Sequence, residues 1–400
     1  MAGKPLSIGL ILFCQVSAMT LWFSATAAAT ALVADGTLSG QQAGLLTGAV
    51  QLGFVAGTLL SALTGMADRF DPRRLFAASA IGGAAANALL LVTGFDGAGT
   101  VVLRFVTGMA LAGVYPVGMK MAAGWTQKGI GLMIGVLVGA LTLGSSLPHL
   151  FNAVVGLDWR TTIAISSLCA ASAAGAILFS GLGPHLRSAA RFRLSEARQA
   201  VLRKPVLLAN AGYLGHMWEL YAMWAWIGVF LEWALAQAES PLAAQSGLIT
   251  FAVIATGAIG CVVAGMLADR LGRTTVTMAA MAISGACALL IGLTPAVGAF
   301  AVIAVALIWG VSVVADSAQF SASVAELSEP ELVGTMLTLQ TCMGFLLTFI
   351  IIQAMPLIVA ASGWRYAFAT LAIGPWLGVL AMWRLRRLPE ATLLAKAGVE

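Results

Sequence analysis

Six ionisable side chains stand inside long apolar stretches of this chain: Arg104, Lys120, His149, His216, Glu219 and Asp316. A charged group at the centre of a bilayer-spanning helix costs at least about 2.5–3.5 kcal/mol on insertion scales, so each of these residues needs a reason. Glu219 lies near the middle of an apolar run that begins near residue 206, about 20 Å along a helix. His216 precedes it by three residues and shares its face, and Tyr213 and Met223 continue the stripe. A mid-membrane carboxylate beside an imidazole can carry a proton. The alternative is a hydrogen bond that ties this helix to a neighbour. Asp316, with Gln319 at i+3 and Ser312 at i−4, makes a polar face suited to proton coupling, helix packing or a cytoplasmic gate. Arg104 lies near the outer end of its run, where it is either buried between helices or snorkels to the interface. Lys120, near the inner end, is expected to snorkel to lipid headgroups, and His149, after Pro148, to sit at a helix end. Trp22, Phe23 and Ser24 on one run and Trp218, Trp224 and Trp226 on another occupy related positions; they line an apolar part of a cavity or face lipid.

The elements that position these residues follow from composition. Of 400 residues, 60% are hydrophobic and 9% charged, against roughly 25% charged in soluble domains. That excludes an ordinary soluble domain and a disordered chain. The apolar runs are continuous and about 20 residues long rather than alternating, which predicts helices and not a β-barrel. Twelve spans are predicted: 6–32, 42–66, 74–94, 100–123, 130–154, 161–181, 206–234, 244–267, 274–294, 297–325, 332–358 and 364–384. The first starts near Lys4 and is too long for the apolar core of a signal peptide. Seventeen of the 21 Lys and Arg fall on the side of the N-terminus, the even–odd loops and the C-terminal tail, while Arg160 and Arg365 stand alone on the opposite side. This split places both termini in the cytoplasm. Residues 182–205 carry six basic residues and Glu196 and read as a cytoplasmic linker, with an amphipathic helix over 195–204. It divides a bundle of six spans at 1–181 from a second at 206–400. The five cysteines lie in apolar stretches without paired spacing, and no basic stripe for nucleic acid exists.

The halves repeat. Gly65 opens GMADRFDPRR and Gly265 opens GMLADRLGR, with Asp68 and Asp269 201 residues apart. Trp159-Arg160 and Trp364-Arg365 are 205 apart. Parallel repeats of this kind build transporters whose site lies at the repeat interface.

The second loop closely resembles the G-x-L-A-D-R-x-G-R motif of the major facilitator superfamily. Arg104 and Gly108 resemble its R-x-x-x-G motif, and the Trp-Arg loops are similar to its own. The first loop departs, with Asp71-Pro72 where the motif has Gly-Arg. The drug-antiporter G-P-x-x-G-G motif and the nitrate-porter G-x-G-N are absent, so no subfamily is assigned. The resemblance covers essentially the whole chain. It implies an all-α membrane protein with twelve helices in two six-helix bundles, a buried interhelical role for Arg104 tied to proton coupling, and a cytoplasmic gate. The gate comprises Asp68 and Arg69 in one half and Asp269, Arg270 and Arg273 in the other.

No nucleotide-binding, metalloprotease or nucleophile-elbow motif is present, and three histidines offer little for a metal centre. The expectation is therefore no catalysis, no cofactor and no metal. The chain reads as a monomeric secondary transporter of the inner membrane, with protons and a small organic solute as partners. A cavity joining Arg104, His216, Gln319 and Trp22 would suit a carboxylate-bearing solute. A proton-driven exporter of drugs or cations, and a membrane sensor that keeps a transporter fold, are the alternatives.

Overall fold

The computed structural model describes residues 3–394, apart from positions 35, 96, 127–129, 156–157, 187–191, 193–195 and 197–199. Residues 187–191, 193–195 and 197–199 of the basic linker, and with them part of its expected amphipathic helix, lie outside the described residues. The rest is a helical membrane protein. Its long elements are α1 (Lys4–Ala34), α2 (Gly40–Thr64), α3 (Pro72–Thr93), α4 (Ala98–Ala123), α5 (Ile130–Val155), α6 (Trp159–Phe179), α7 (Lys204–Gln237), α8 (Ser246–Leu271), α9 (Arg273–Ala296), α10 (Ala299–Leu327), α11 (Val333–Ser362) and α12 (Trp364–Arg386). Eleven of them are long and apolar enough to cross a membrane. The exception is α7, which at 34 residues has ample length but carries Asn210, His216, Glu219 and four tryptophans.

Local chemistry fixes the helix ends. Ser39 and Gln42 form a reciprocal capping box at the start of α2, and Gly65 closes that helix in the left-handed region at φ 65°. Asp71, the departure from the family motif, caps α3: its carboxylate accepts from the Arg73 amide at 2.9 Å, ahead of Pro72 at the first helical turn. The Arg73 guanidinium, 2.6 Å from the other carboxylate oxygen, holds the Asp71 carboxyl below its usual range. Asp158 caps α6 in the same way.

The two halves repeat more deeply than their loops. The helix of α4 breaks at residues 112–114 and that of α10 at 314–316, 202 residues later. In α4 the cause is Pro116, which lacks the N–H that would bond the Ala112 carbonyl. In α10 no proline is involved; Ser312 bonds back to the Ile308 carbonyl at 2.8 Å, a competitor to the regular ladder. Glycines also repeat. A Cβ on Gly53 would overlap the Phe105 carbonyl, and one on Gly108 the Val50 carbonyl, so α2 and α4 touch backbone to backbone. Gly260 against Val311 and Gly310 against Val253 do the same for α8 and α10. Between the halves, α5 packs on α8 and α2 on α11, two pairs that a twofold would exchange. Gly135 meets the Cys261 carbonyl, and Gly44 and Gly48 meet Gln353 and Phe349.

These crossings admit no side chain. Gly53→Val and Gly260→Val are each expected to cost about 1–3 kcal/mol through overpacking. Gly175→Ala, where nothing lies within 4 Å, should leave stability unchanged. Thermal unfolding in detergent separates the two outcomes.

Candidate functional site at the interface of the two halves

The centre of the molecule is an aromatic seam. Trp22 and Phe23 of α1 and Phe54 of α2 face Tyr221 and Trp224 of α7 and Phe345 of α11. Trp22 stacks on Tyr221 with ring centroids 5.7 Å apart, and Phe54 meets Phe345 at 4.7 Å. Trp22, Phe23 and Trp224 are fully buried, so they line the interface and do not face lipid. At one end of the seam a small, narrow cleft lies between α1, α2 and α7, lined by Thr26, Thr30, Thr47 and Trp226.

Beside the seam, the C-terminal half buries two acidic clusters. Nδ1 of His216 lies 2.9 Å from Oδ1 of Asp316, the two side chains 1% and 2% exposed. The contact is close yet not aligned as a hydrogen bond, and Nε2 of His216 has no hydrogen-bond partner among the described residues. Asp316 sits at the break of α10, the residue before the second helical segment. Glu219 is placed elsewhere: Ser284 Oγ of α9 and Trp309 Nε1 of α10 each donate to its carboxylate at 2.8 Å. The expected pairing of His216 with Glu219 on one stripe is therefore not what forms. Three residues along a helix leave the two side chains about 60° apart around the axis, enough to meet different neighbours. Tyr213 packs against His216 and Phe320 and fills the space left by Gly344.

The second segment of α10 runs from this pair toward the end of the molecule that carries Asp68 and Asp269. Gln319 accepts from Arg273 Nη1 at 2.7 Å, and Glu326 takes the other side of the same guanidinium in a two-pronged contact at 2.8 and 2.6 Å. Arg273, expected as a gate residue, thus ties α9 to α10 within one half. Asp269 lies against the first turn of α5, with Oδ1 3.0 Å from where a Cβ on Gly131 would stand. Asp68 bonds Lys120, whose ammonium also donates to the Ala67 carbonyl at 2.7 Å. Lys120 therefore reaches the loop after α2 instead of snorkelling to headgroups. Arg69 and Arg270 are exposed.

The N-terminal half buries a cation without an acid. Arg104 is fully buried and donates to the carbonyls of Leu21, Trp22 and Leu46, to Ser24 Oγ and to Asn87 Oδ1, at 2.7–3.4 Å. Asn87 extends the network to Ser167 and the Ile163 carbonyl. One guanidinium thereby joins α1, α2, α3, α4 and α6, and it does not snorkel. His149 is also buried, 4% exposed, and not an interface residue at a helix end. The cavity expected to join Arg104, His216, Gln319 and Trp22 does not form: Arg104 is spent inside one half and Gln319 on Arg273.

Several partners had escaped the sequence reading. Asn87, Ser284 and Trp309 are uncharged residues within apolar runs, and Glu326 stands where α10 ends. The signal for Asn87 and for Gln51 was there: an amide deep in a span is costly unless bonded.

Arg104→Met removes the donors and leaves several buried acceptors unpaired. It is expected to destabilise the fold by on the order of 2–4 kcal/mol, while Arg69→Ala, at an exposed site, should cost nothing measurable. Chemical denaturation of the purified protein tests the contrast.

No curated protein matches the chain by sequence. Its shape is similar to that of solved transporters. A mutant of the nucleoside transporter NupG superposes with a TM-score of 0.73 at 13% identity, covering 96% of this chain and 100% of that one. The proton:xylose symporter XylE, bound to 6-bromo-6-deoxy-D-glucose, gives 0.68 at 13% identity, with 96% of both chains covered. At that identity the likeness concerns the fold. The sequence profile of the Major Facilitator Superfamily matches residues 11–351, most of the chain, and the protein belongs to that superfamily.

Proposed function

We propose that this protein is a proton-coupled secondary transporter of the inner membrane, moving a small solute by alternating access between two six-helix halves. In this reading α7 is the twelfth span, both termini are cytoplasmic, and the working unit is a monomer. The observation that carries the coupling is the His216–Asp316 contact: two titratable groups, 2.9 Å apart and almost wholly buried, on different helices and at the break of α10. A group that exchanges a proton during a cycle must be partnered in one state and reachable in another. A misaligned pair at a helix interruption suits that requirement. Glu219, held by two well-formed hydrogen bonds, suits a structural role.

The coupling pair is linked to the cytoplasmic end by a continuous path. Asp316, Gln319 and Glu326 lie along one segment of α10, and the last two hold Arg273. A shift of that segment moves both the proton site and the gate. The gate itself includes Asp269 against the first turn of α5, across the interface, where the helix dipole favours a negative charge. The solute site is the aromatic seam, which must part for a ligand to enter.

The test uses purified protein in liposomes with a ligand found by thermal-shift screening. Under an imposed proton gradient, Asp316→Asn and His216→Gln should lose accumulation and retain exchange of internal for external solute. Glu219→Gln, whose Oε1 can still accept from Trp309 while its amide N–H donates to Ser284 Oγ, should accumulate. Wild-type accumulation by Asp316→Asn, or its loss only in Glu219→Gln, contradicts the assignment and moves coupling to Glu219.

A further inference from the structure

The seam carries more than aromatic rings. Among the described residues, Trp22 Nε1 and Trp224 Nε1 are buried donors without a hydrogen-bond partner, and both polar atoms of Gln51 and of Gln340 are buried and unbonded. All four side chains are at most 1% exposed. They come from α1, α7, α2 and α11, the helices that meet across the two halves. Trp22 and Trp224 are 202 residues apart, the offset of the repeat, so one orphaned indole N–H comes from each half at matching places. Gln51 is one turn from Phe54, and Gln340 one turn from Gly344, beside Tyr213 and Met217.

A buried donor or acceptor left unpaired costs stability, and most folds avoid it. A packing core would be expected to fill these positions with apolar side chains. Six unpaired atoms at the interface, beside rings that face one another across it, describe a surface made for something that arrives from outside. Its chemistry follows from the inventory. An indole N–H only donates, so the ligand must present acceptors; a carboxamide donates and accepts, so the ligand must offer donors too. The rings offer flat faces for stacking. The seam offers no charge. Arg104 spends its donors on neutral acceptors within the N-terminal half, and His216, Asp316 and Glu219 face partners within the C-terminal half. An anionic or cationic solute would lose its hydration here and find no counter-charge.

We infer that the solute is an uncharged, ring-shaped compound bearing both hydrogen-bond donors and acceptors, bound between Trp22 and Tyr221 with its polar groups on Gln51, Gln340 and the two indole N–H groups. This rests on the transporter reading above and replaces the carboxylate-bearing solute expected from sequence.

The purified full-length protein in detergent is challenged with uridine and D-xylose as neutral ring probes, benzoate as an aromatic anion, and tetraphenylphosphonium as an aromatic cation. A neutral probe should raise the melting temperature in a saturable way, and the charged probes should not. Gln51→Leu and Trp22→Phe, the second of which keeps a ring and loses the N–H, should weaken apparent affinity by at least about tenfold. The melting temperature without ligand verifies that each variant is folded. Stabilisation by benzoate or tetraphenylphosphonium alone, no response to either neutral probe, or neutral binding unchanged in both variants overturns the inference. Asp316→Asn separates it from the coupling proposal, because binding of the neutral probe should survive there while gradient-driven accumulation is lost. If a neutral probe binds the wild type and is never accumulated, coupling fails and this inference stands. Gradient-driven accumulation of benzoate has the reverse meaning.

Discussion

A hydrocarbon surround offers no water to a polar group, so every polar atom inside this protein must find its partner in the chain or wait for one from outside. That constraint organises the molecule. Arg104 satisfies it by collecting carbonyl and side-chain oxygens from three other helices, and Asn87 carries the network on to a fourth, which ties the N-terminal half together. Glu219 satisfies it through Ser284 and Trp309, which draws α7, α9 and α10 together. Several buried polar atoms have no partner among the described residues: those of the His216–Asp316 contact and of the seam, and also His149 Nε2, Asn210 Oδ1 and Gln353 Oε1 among others. The first two sets lie where, in the proposed cycle, the halves and helix segments move.

The halves share a backbone plan and differ in charge. Glycines 53 and 108 in one half and 260 and 310 in the other make equivalent crossings, and α4 and α10 break at equivalent positions. Yet Lys120 and Glu326, 206 residues apart near the ends of α4 and α10, have opposite sign. Lys120 binds the acid in the loop after α2, and Glu326 binds the arginine that opens α9. The same mechanical link, from a broken helix to the loop beside it, is built with inverted polarity. The buried acid pair belongs to the C-terminal half, and the buried lone cation to the N-terminal half. A symmetric scaffold with unsymmetric charge suits the proposed coupling, since one half can then sense a proton while the other stays fixed.

Much of the architecture was legible in the sequence because hydropathy and repeat spacing are properties of contiguous residues. The spans coincide with the helices to within a few residues, and α7 was recognisable by its length despite its polar content. The Pro116 break in α4 was open to the same reasoning; that in α10, without a proline, was not. The side-chain partnerships were hidden because they are long-range. Glu219 and Trp309 are 90 residues apart, and Arg104 reaches Leu21 across 83. Spacing on one helix put His216 with Glu219, while a neighbouring helix supplied Asp316. Uncharged residues were singled out only beside a charge or in an aromatic run, so the uncharged orphans Gln51 and Gln340 went unnoticed although their burial is as costly in kind.

The claim that binds these observations is that His216 and Asp316 exchange the coupling proton. Proton uptake by the purified protein, followed with a pH indicator in weakly buffered detergent as ligand is added, addresses it without a membrane or a gradient. The account predicts that ligand binding changes the number of bound protons in the wild type and in Glu219→Gln, and that the change vanishes in Asp316→Asn although ligand still binds. An undiminished proton change in Asp316→Asn would contradict it.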